Sequence, residues 1–233
     1  MKEEAVNVNI KMLLAEILGM FIAFALALFI SAGTFRWIAG WCFLLLFFGF
    51  VVIISLWLLK HDPGLLRERM TGLRRPDQKK WDRILMSLVC IFFIFWLVMM
   101  PLDAVRFQLS HASVWIQVTG ALILIFSLYV FYLVIRENPY LSSAIRIQKD
   151  RGQKVVSTGP YHYIRHPYYA ASILFFLGTT LLLGSWYGLI PVLVLTALVV
   201  IRAVLEERTL QKELNGYDIY MKQVKYRFIP HIW

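Results

Sequence analysis

Two groups of residues in this chain have the types and spacing to do chemistry. The first is Gly159-Pro160-Tyr161, followed closely by Arg165-His166-Pro167-Tyr168-Tyr169. Gly-Pro imposes a turn. His166-Pro167 sets an extended residue just before a helix, and proline favours the first helical position. The backbone N–H groups left free at such a start suit an anionic group such as a carboxylate. Tyr161, Tyr163, Tyr168 and Tyr169 offer aromatic faces for an adenine ring or a cation. The same tyrosines also fit an interfacial aromatic belt, with His166 only capping a helix. No second ligand stands at metal spacing from His166, so no metal is expected.

The second group is Arg202 with Glu206 and Glu207. Arg202 and Glu206 are spaced i, i+4 and share one face of a helix. Ionisable groups at membrane depth are costly and are functional candidates by default. The alternative is an interfacial ion pair whose long side chains snorkel to the surface.

The elements that must position these residues are apolar helices. The chain has 233 residues, 60% hydrophobic and 16% charged. A soluble domain carries roughly a quarter charged residues. The apolar residues fall in blocks, and a block of about 20 spans the hydrocarbon core as a helix. Six such spans are expected, near 12–32, 37–59, 84–104, 113–135, 168–184 and 187–205. The last two are joined only by Gly184-Ser185-Trp186-Tyr187-Gly188, which predicts an antiparallel hairpin. The fold class is therefore an all-α integral membrane protein. It reads as one compact domain, with a four-span region at 1–135 and a core at 136–233.

With both ends in the cytoplasm, the outside loops hold Arg36 and Arg106, and the other 22 of the 24 Lys and Arg residues lie inside. That is the positive-inside bias. The net charge of +10 is then explained by topology and anionic lipid, and nucleic acid is not an expected partner. Leu205, Leu210, Leu214, Tyr217 and Met221 form a rough helical stripe, which predicts an amphipathic helix along the membrane surface. Cys42 and Cys90 sit within apolar blocks and read as packing residues. The first residues have no small-residue cleavage site and are read as leading into the first span. There is no GxGxxG after a strand, no P-loop, no nucleophile elbow and no HExxH, which disfavours a soluble-type catalytic domain.

Taken together, Gln148, the run Val155-Val156-Ser157-Thr158-Gly159-Pro160-Tyr161, Arg165-His166-Pro167-Tyr168-Tyr169, Arg202 with Glu206-Glu207, and Tyr217, Tyr220, Val224 and Phe228-Ile229-Pro230 resemble the isoprenylcysteine carboxyl methyltransferase family, a relative of the phospholipid methyltransferases. The resemblance covers about 136–233. Over the first four spans it is to bacterial members and lies in Pro63-Gly64-Leu65-Leu66-Arg67-Glu68-Arg69 and Trp81-Asp82.

The resemblance implies S-adenosyl-L-methionine as methyl donor, in a cytoplasm-facing pocket roofed by the C-terminal segment. It implies donor contacts from Gln148, Gln153, Lys154, Val155, Val156, Gly159, Tyr161, His166, Pro167, Tyr168, Tyr169 and Glu206. Arg202 is implied to contact the acceptor, and Arg202, Glu206 and Glu207 form the expected catalytic set. Gln153 stands where the family commonly has a histidine, and 148–155 is shorter than the eukaryotic pattern. The expected partners are a lipophilic or lipidated acceptor and membrane lipids. Two other readings remain at this stage: a membrane NADPH-dependent reductase of the sterol-reductase type, and a non-enzymatic lipid-binding membrane protein.

Overall fold

The computed structural model describes residues 8–70, 77–230 and 232. The first seven residues and 71–76, between the second and third expected spans, lie outside it, so the reading of the chain's start is left as an expectation. Among the described residues the fold is all helical. The helices are α1 (Ile10–Ala32), α2 (Ile38–His61), α3 (Pro63–Met70), α4 (Lys80–Pro101), α5 (Val114–Glu137), α6 (Pro167–Leu183), α7 (Leu189–Glu213) and α8 (Tyr217–Gln223). One π-turn, Leu102–Arg106, extends α4.

Among the described residues, five helices are long and apolar enough to cross a membrane: α1, α2, α4 with its π-turn, α5 and α7. The expected fifth span, α6, is a shorter apolar helix of 17 residues. At about 1.5 Å per residue it reaches the lower limit for a crossing. Its start is where the sequence places it. His166 is the N-cap residue and Pro167 the first helical residue, and the helix ends at Gly184 with φ +76°. The five residues 184–188 then turn the chain directly into α7.

The short helix is held by close backbone contact with α5. A Cβ on Gly120 would stand 2.2 Å from Leu182 N, and one on Gly178 would stand 2.6 Å from Leu124 N. Small residues at a crossing let membrane helices approach this closely. Ser127 Oγ also donates to Ala171 O across the same seam at 2.8 Å. Around it, aromatic rings from four helices interlock: Phe24, Phe43, Phe47, Phe93, Trp96, Phe175 and Phe176. This packing fixes the height and rotation of the Arg165–Tyr169 segment at one end of the bundle.

At that same end α2 passes into α3 through Asp62-Pro63, where Asp62 Oδ1 accepts from Leu65 N at 2.8 Å. An Asp cap followed by Pro is a helix start written into the sequence. The expected single amphipathic C-terminal helix is instead two pieces. α7 runs on to Glu213, Leu214 is extended, and Gly216 at φ +84° turns the chain into α8. Leu210, Leu214, Tyr217 and Met221 pack with Val134, Tyr161, Tyr220 and Val224. The end of α5 and the polar loop after it offer these side chains an apolar partner, so they cover protein.

Candidate active site

A cavity of about 300 Å³ opens at this end, between the loop after α5, the start of α6, α7 and α8. Its size is at the lower end of small-molecule pockets. The loop supplies one wall through Gln148, Gln153, Lys154, Val155 and Val156. The 3-10 turn Gly159–His162 supplies Tyr161, and the α6 start supplies His166, Pro167, Tyr168 and Tyr169. From α7 come Arg202 and Glu206. Met86 and Val89 of α4, Phe176 of α6 and Val199 of α7 form an apolar side toward the membrane helices. A second groove shares Gln153, Lys154, Val155 and Leu214 with the cavity and carries Lys149 and Asn215. The cavity thus has a polar mouth and an apolar flank.

Each wall is fastened by its own bonds. The Gln148 side chain is spent on the loop itself: Nε2 donates to Tyr140 O at 2.7 Å and Oε1 accepts from Arg151 Nη1 at 2.9 Å. Gln153 Oε1 caps Gln148 N at 2.8 Å. Arg146 ties the loop to α3 and the turn before α4, through Glu68 at 3.2 Å, Asp77 at 3.1 Å and Asp150 at 3.0 Å. Tyr161 is buried, with its hydroxyl accepting from Asn138 Nδ2 and its carbonyl accepting from the Tyr220 hydroxyl at 2.7 Å. Burial pushes the Tyr161, Tyr217 and Tyr220 phenols up, so all three stay neutral donors.

The adjacent glutamates differ completely. Glu206 faces the cavity, and its one fixed bond among the described residues is from the Tyr169 hydroxyl at 2.5 Å. Glu207 is 3% exposed and lies off the cavity, paired with Arg165 at 2.6 Å and Arg227 at 2.6 Å. Arg165 Nη1 also donates to Val224 O and Lys225 O. The backbone of Arg165 and His166 donates to Tyr226 O and Arg227 O. Glu207 is therefore the clasp between the α6 entry and the C-terminal roof. Gly159 is also off the cavity lining. Its φ of +56° and the closeness of Glu137, 2.9 Å from where a Cβ would be, account for a glycine there. Tyr163 is exposed and contributes no face to the cavity.

His166 is 5% exposed, and its Nε2 has no hydrogen-bond partner among the described residues. Burial, then the nearby Arg165 and Arg227 charges, lower its pKa to about 3. It is a neutral imidazole at physiological pH, with one nitrogen unspent. Arg202 is held at Nε by Asp82 at 2.7 Å and at Nη2 by Ser143 O at 2.8 Å, with the Tyr169 ring 5.7 Å from its guanidinium carbon.

Residues 115–215 match the family model described as phospholipid methyltransferase. The match covers under half of the chain and gives this segment a likeness to the phospholipid methyltransferase family. The isoprenylcysteine carboxyl methyltransferases are members of that family, which agrees with the resemblance carried by the RHP and RxxxEE motifs. That likeness, beside the long apolar helices, points to a membrane methyltransferase. The matched segment contains nearly all of α5, the loop, α6 and α7, hence every cavity residue that the RHP and RxxxEE motifs single out. No curated protein sequence matches the chain. Other parts of the site lie outside the segment: Arg69, Met86 and Val89 on the cavity lining, Asp82 behind Arg202, and the Tyr217–Pro230 roof. Asp82 carries no local chemical signal in the sequence beyond being an acidic residue in the first turn of a long apolar helix, although Trp81-Asp82 is part of the resemblance to bacterial members.

Proposed function

We propose that the protein transfers a methyl group from S-adenosyl-L-methionine to a carboxylate on a lipophilic acceptor, with a prenylcysteine-type head as the favoured class. The observation that carries this reading is the meeting on one cavity of Glu206, with one carboxylate oxygen spent on Tyr169, Arg202, with Nε and Nη2 fixed by Asp82 and Ser143, and the neutral His166 side chain. Glu206 suits the cationic portion of the donor, as a charge-assisted acceptor. The ring faces of Tyr161, Tyr168 and Tyr169, all on the cavity lining, suit a sulfonium or an adenine. The apolar flank of Met86, Val89, Phe176 and Val199 suits a hydrocarbon chain.

The donor supplies an electrophilic methyl carbon. A carboxylate oxygen attacks it, the carbon–sulfur bond breaks toward sulfur, and the products are a methyl ester and S-adenosylhomocysteine. No proton moves, so no base is required. That matches a site whose histidine gains a second proton only near pH 3 and whose Glu207 is spent on two arginines. The site's work is alignment, which alone can supply much of such an acceleration. The distribution of Lys and Arg favours a cytoplasmic cavity, where a water-soluble donor meets an acceptor held in the bilayer.

The test is transfer of labelled methyl from the donor to total membrane lipid and to a short prenylated cysteine, followed by mild alkali. A methyl ester releases its label as methanol, and that release is the expected result. Alkali-stable label would place the methyl on nitrogen or sulfur instead. Absence of both transfer and donor binding would sink the proposal.

A further inference from the structure

A fully buried carboxylate outside the matched segment holds an arginine of the cavity wall. Asp82 lies on the first turn of α4 and is fully buried. Its Oδ1 accepts from Arg202 Nε at 2.7 Å. Its Oδ2 accepts from Gln78 Nε2 at 2.8 Å and from Ile145 N at 2.9 Å. Both oxygens are thus engaged, by donors from three separate parts of the chain. Arg202 Nη2 is taken by Ser143 O at 2.8 Å, and among the described residues no hydrogen bond takes its Nη1. Two fixed nitrogens define the plane of a guanidinium, and so the direction of the third.

We propose that Asp82 is the positioning residue for Arg202, fixing the guanidinium so that Nη1 is left to grip the anionic head of the acceptor. This rests on reading the cavity as a methyl-transfer site. Asp82 also holds Ile145 N, so the same carboxylate sets the wall beside Arg202. Because Asp82 and Arg202 together are neutral, the acceptor is held by a directed hydrogen bond with little surplus charge. Methylation removes the acceptor's charge and weakens that bond, which favours release of the ester. The N-terminal helices thereby become part of the acceptor site and not only its scaffold.

The test is a double-variant cycle of Asp82→Asn, Arg202→Gln and the two combined, in nanodiscs. Donor affinity is measured by calorimetry, and kcat and KM with a prenylated cysteine. Displacement of a gripping group predicts a loss of about tenfold to hundredfold in kcat/KM for Asp82→Asn. Donor affinity should stay within about threefold, because Asp82 itself does not line the cavity. In the Arg202→Gln background, Asp82→Asn should change kcat/KM less than about twofold. Losses that multiply, or donor affinity that falls in step with turnover, would overturn the proposal in favour of a purely structural ion pair.

Asp82→Asn alone leaves a buried arginine uncompensated and can fail to fold. Asp82→Glu then replaces it, keeping the charge but displacing it by one methylene. A readout independent of turnover is the Arg202 Nε–H resonance in 15N-arginine-labelled protein, assigned by its loss in Arg202→Gln. It should shift or broaden in the Asp82 variant. If wild-type protein bound no donor, the methyl-transfer reading would fail. An unmoved resonance would separately refute the role of Asp82.

Discussion

Buried carboxylates stand at both ends of the helical bundle, and they are held differently. At the end away from the cavity, Asp103 Oδ2 alone collects Ser110 Oγ at 2.6 Å, Ser185 Oγ at 2.5 Å and Tyr187 N at 3.3 Å. Among the described residues no basic side chain pairs with it, and these bonds join the π-turn to the loops around it. At the cavity end, Asp82 and Glu207 pair with arginines drawn from distant segments, while Glu206 keeps capacity to spare. Burial of a charge is therefore not the mark of a site. The mark is a partner held rigidly by others on a cavity wall with one valence unspent.

The largest effect that would break this contrast is at Glu207. Glu207→Gln removes the anion shared by Arg165 and Arg227, and loss of one partner from a buried pair costs about 3–5 kcal/mol. The melting temperature in detergent should fall sharply, and an unchanged value would mean that the clasp is idle. Glu206→Gln should do the opposite. The amide oxygen of that variant still accepts from the Tyr169 hydroxyl, so stability should stay within about 1 kcal/mol. Methyl transfer should fall by about a hundredfold or more, as for loss of a charge-stabilising group. Steady-state assays beside melting curves separate the two glutamates.

A smaller effect sharpens the role of His166. Its ordinary pKa of 6.5 is lowered to about 3 in the fold, so the unfolded state binds more protons between those values. Stability should therefore fall as pH drops from about 6.5 toward 3, by at most about 1.4 kcal/mol per pH unit. His166→Phe should flatten that dependence in melts recorded between pH 7 and 5. The smallest effect is expected at Asp103→Asn. One oxygen takes all three donors there, and an amide oxygen can do the same, so the cost should stay within about 1 kcal/mol. A large loss would show that the charge matters at that end too.

The helices and both motif segments are legible in the sequence because their signals are local. Apolar length marks the spans, Pro167 marks the α6 start, and the i, i+4 spacing puts Arg202 and Glu206 on one face. What is hidden depends on rotation and on distant partners. Glu206 and Glu207 are neighbours in the chain, and only the packing of α7 decides which meets the cavity. Gly159 reads as a ligand contact from its motif, yet its backbone angle and Glu137 explain it. Asp82 lies 120 residues from Arg202, and no periodicity connects them. The C-terminal stripe has the right period for a surface helix, but Gly216 breaks it and α5 offers it an apolar partner.

Calorimetric titration of S-adenosyl-L-methionine into the purified protein in nanodiscs, beside Glu206→Gln, tests the central claim most directly. Saturable one-to-one binding, weakened at least about tenfold by loss of the charge, is the expected result. Absence of binding, or protection from heat by NADPH and not by S-adenosylhomocysteine, would contradict it.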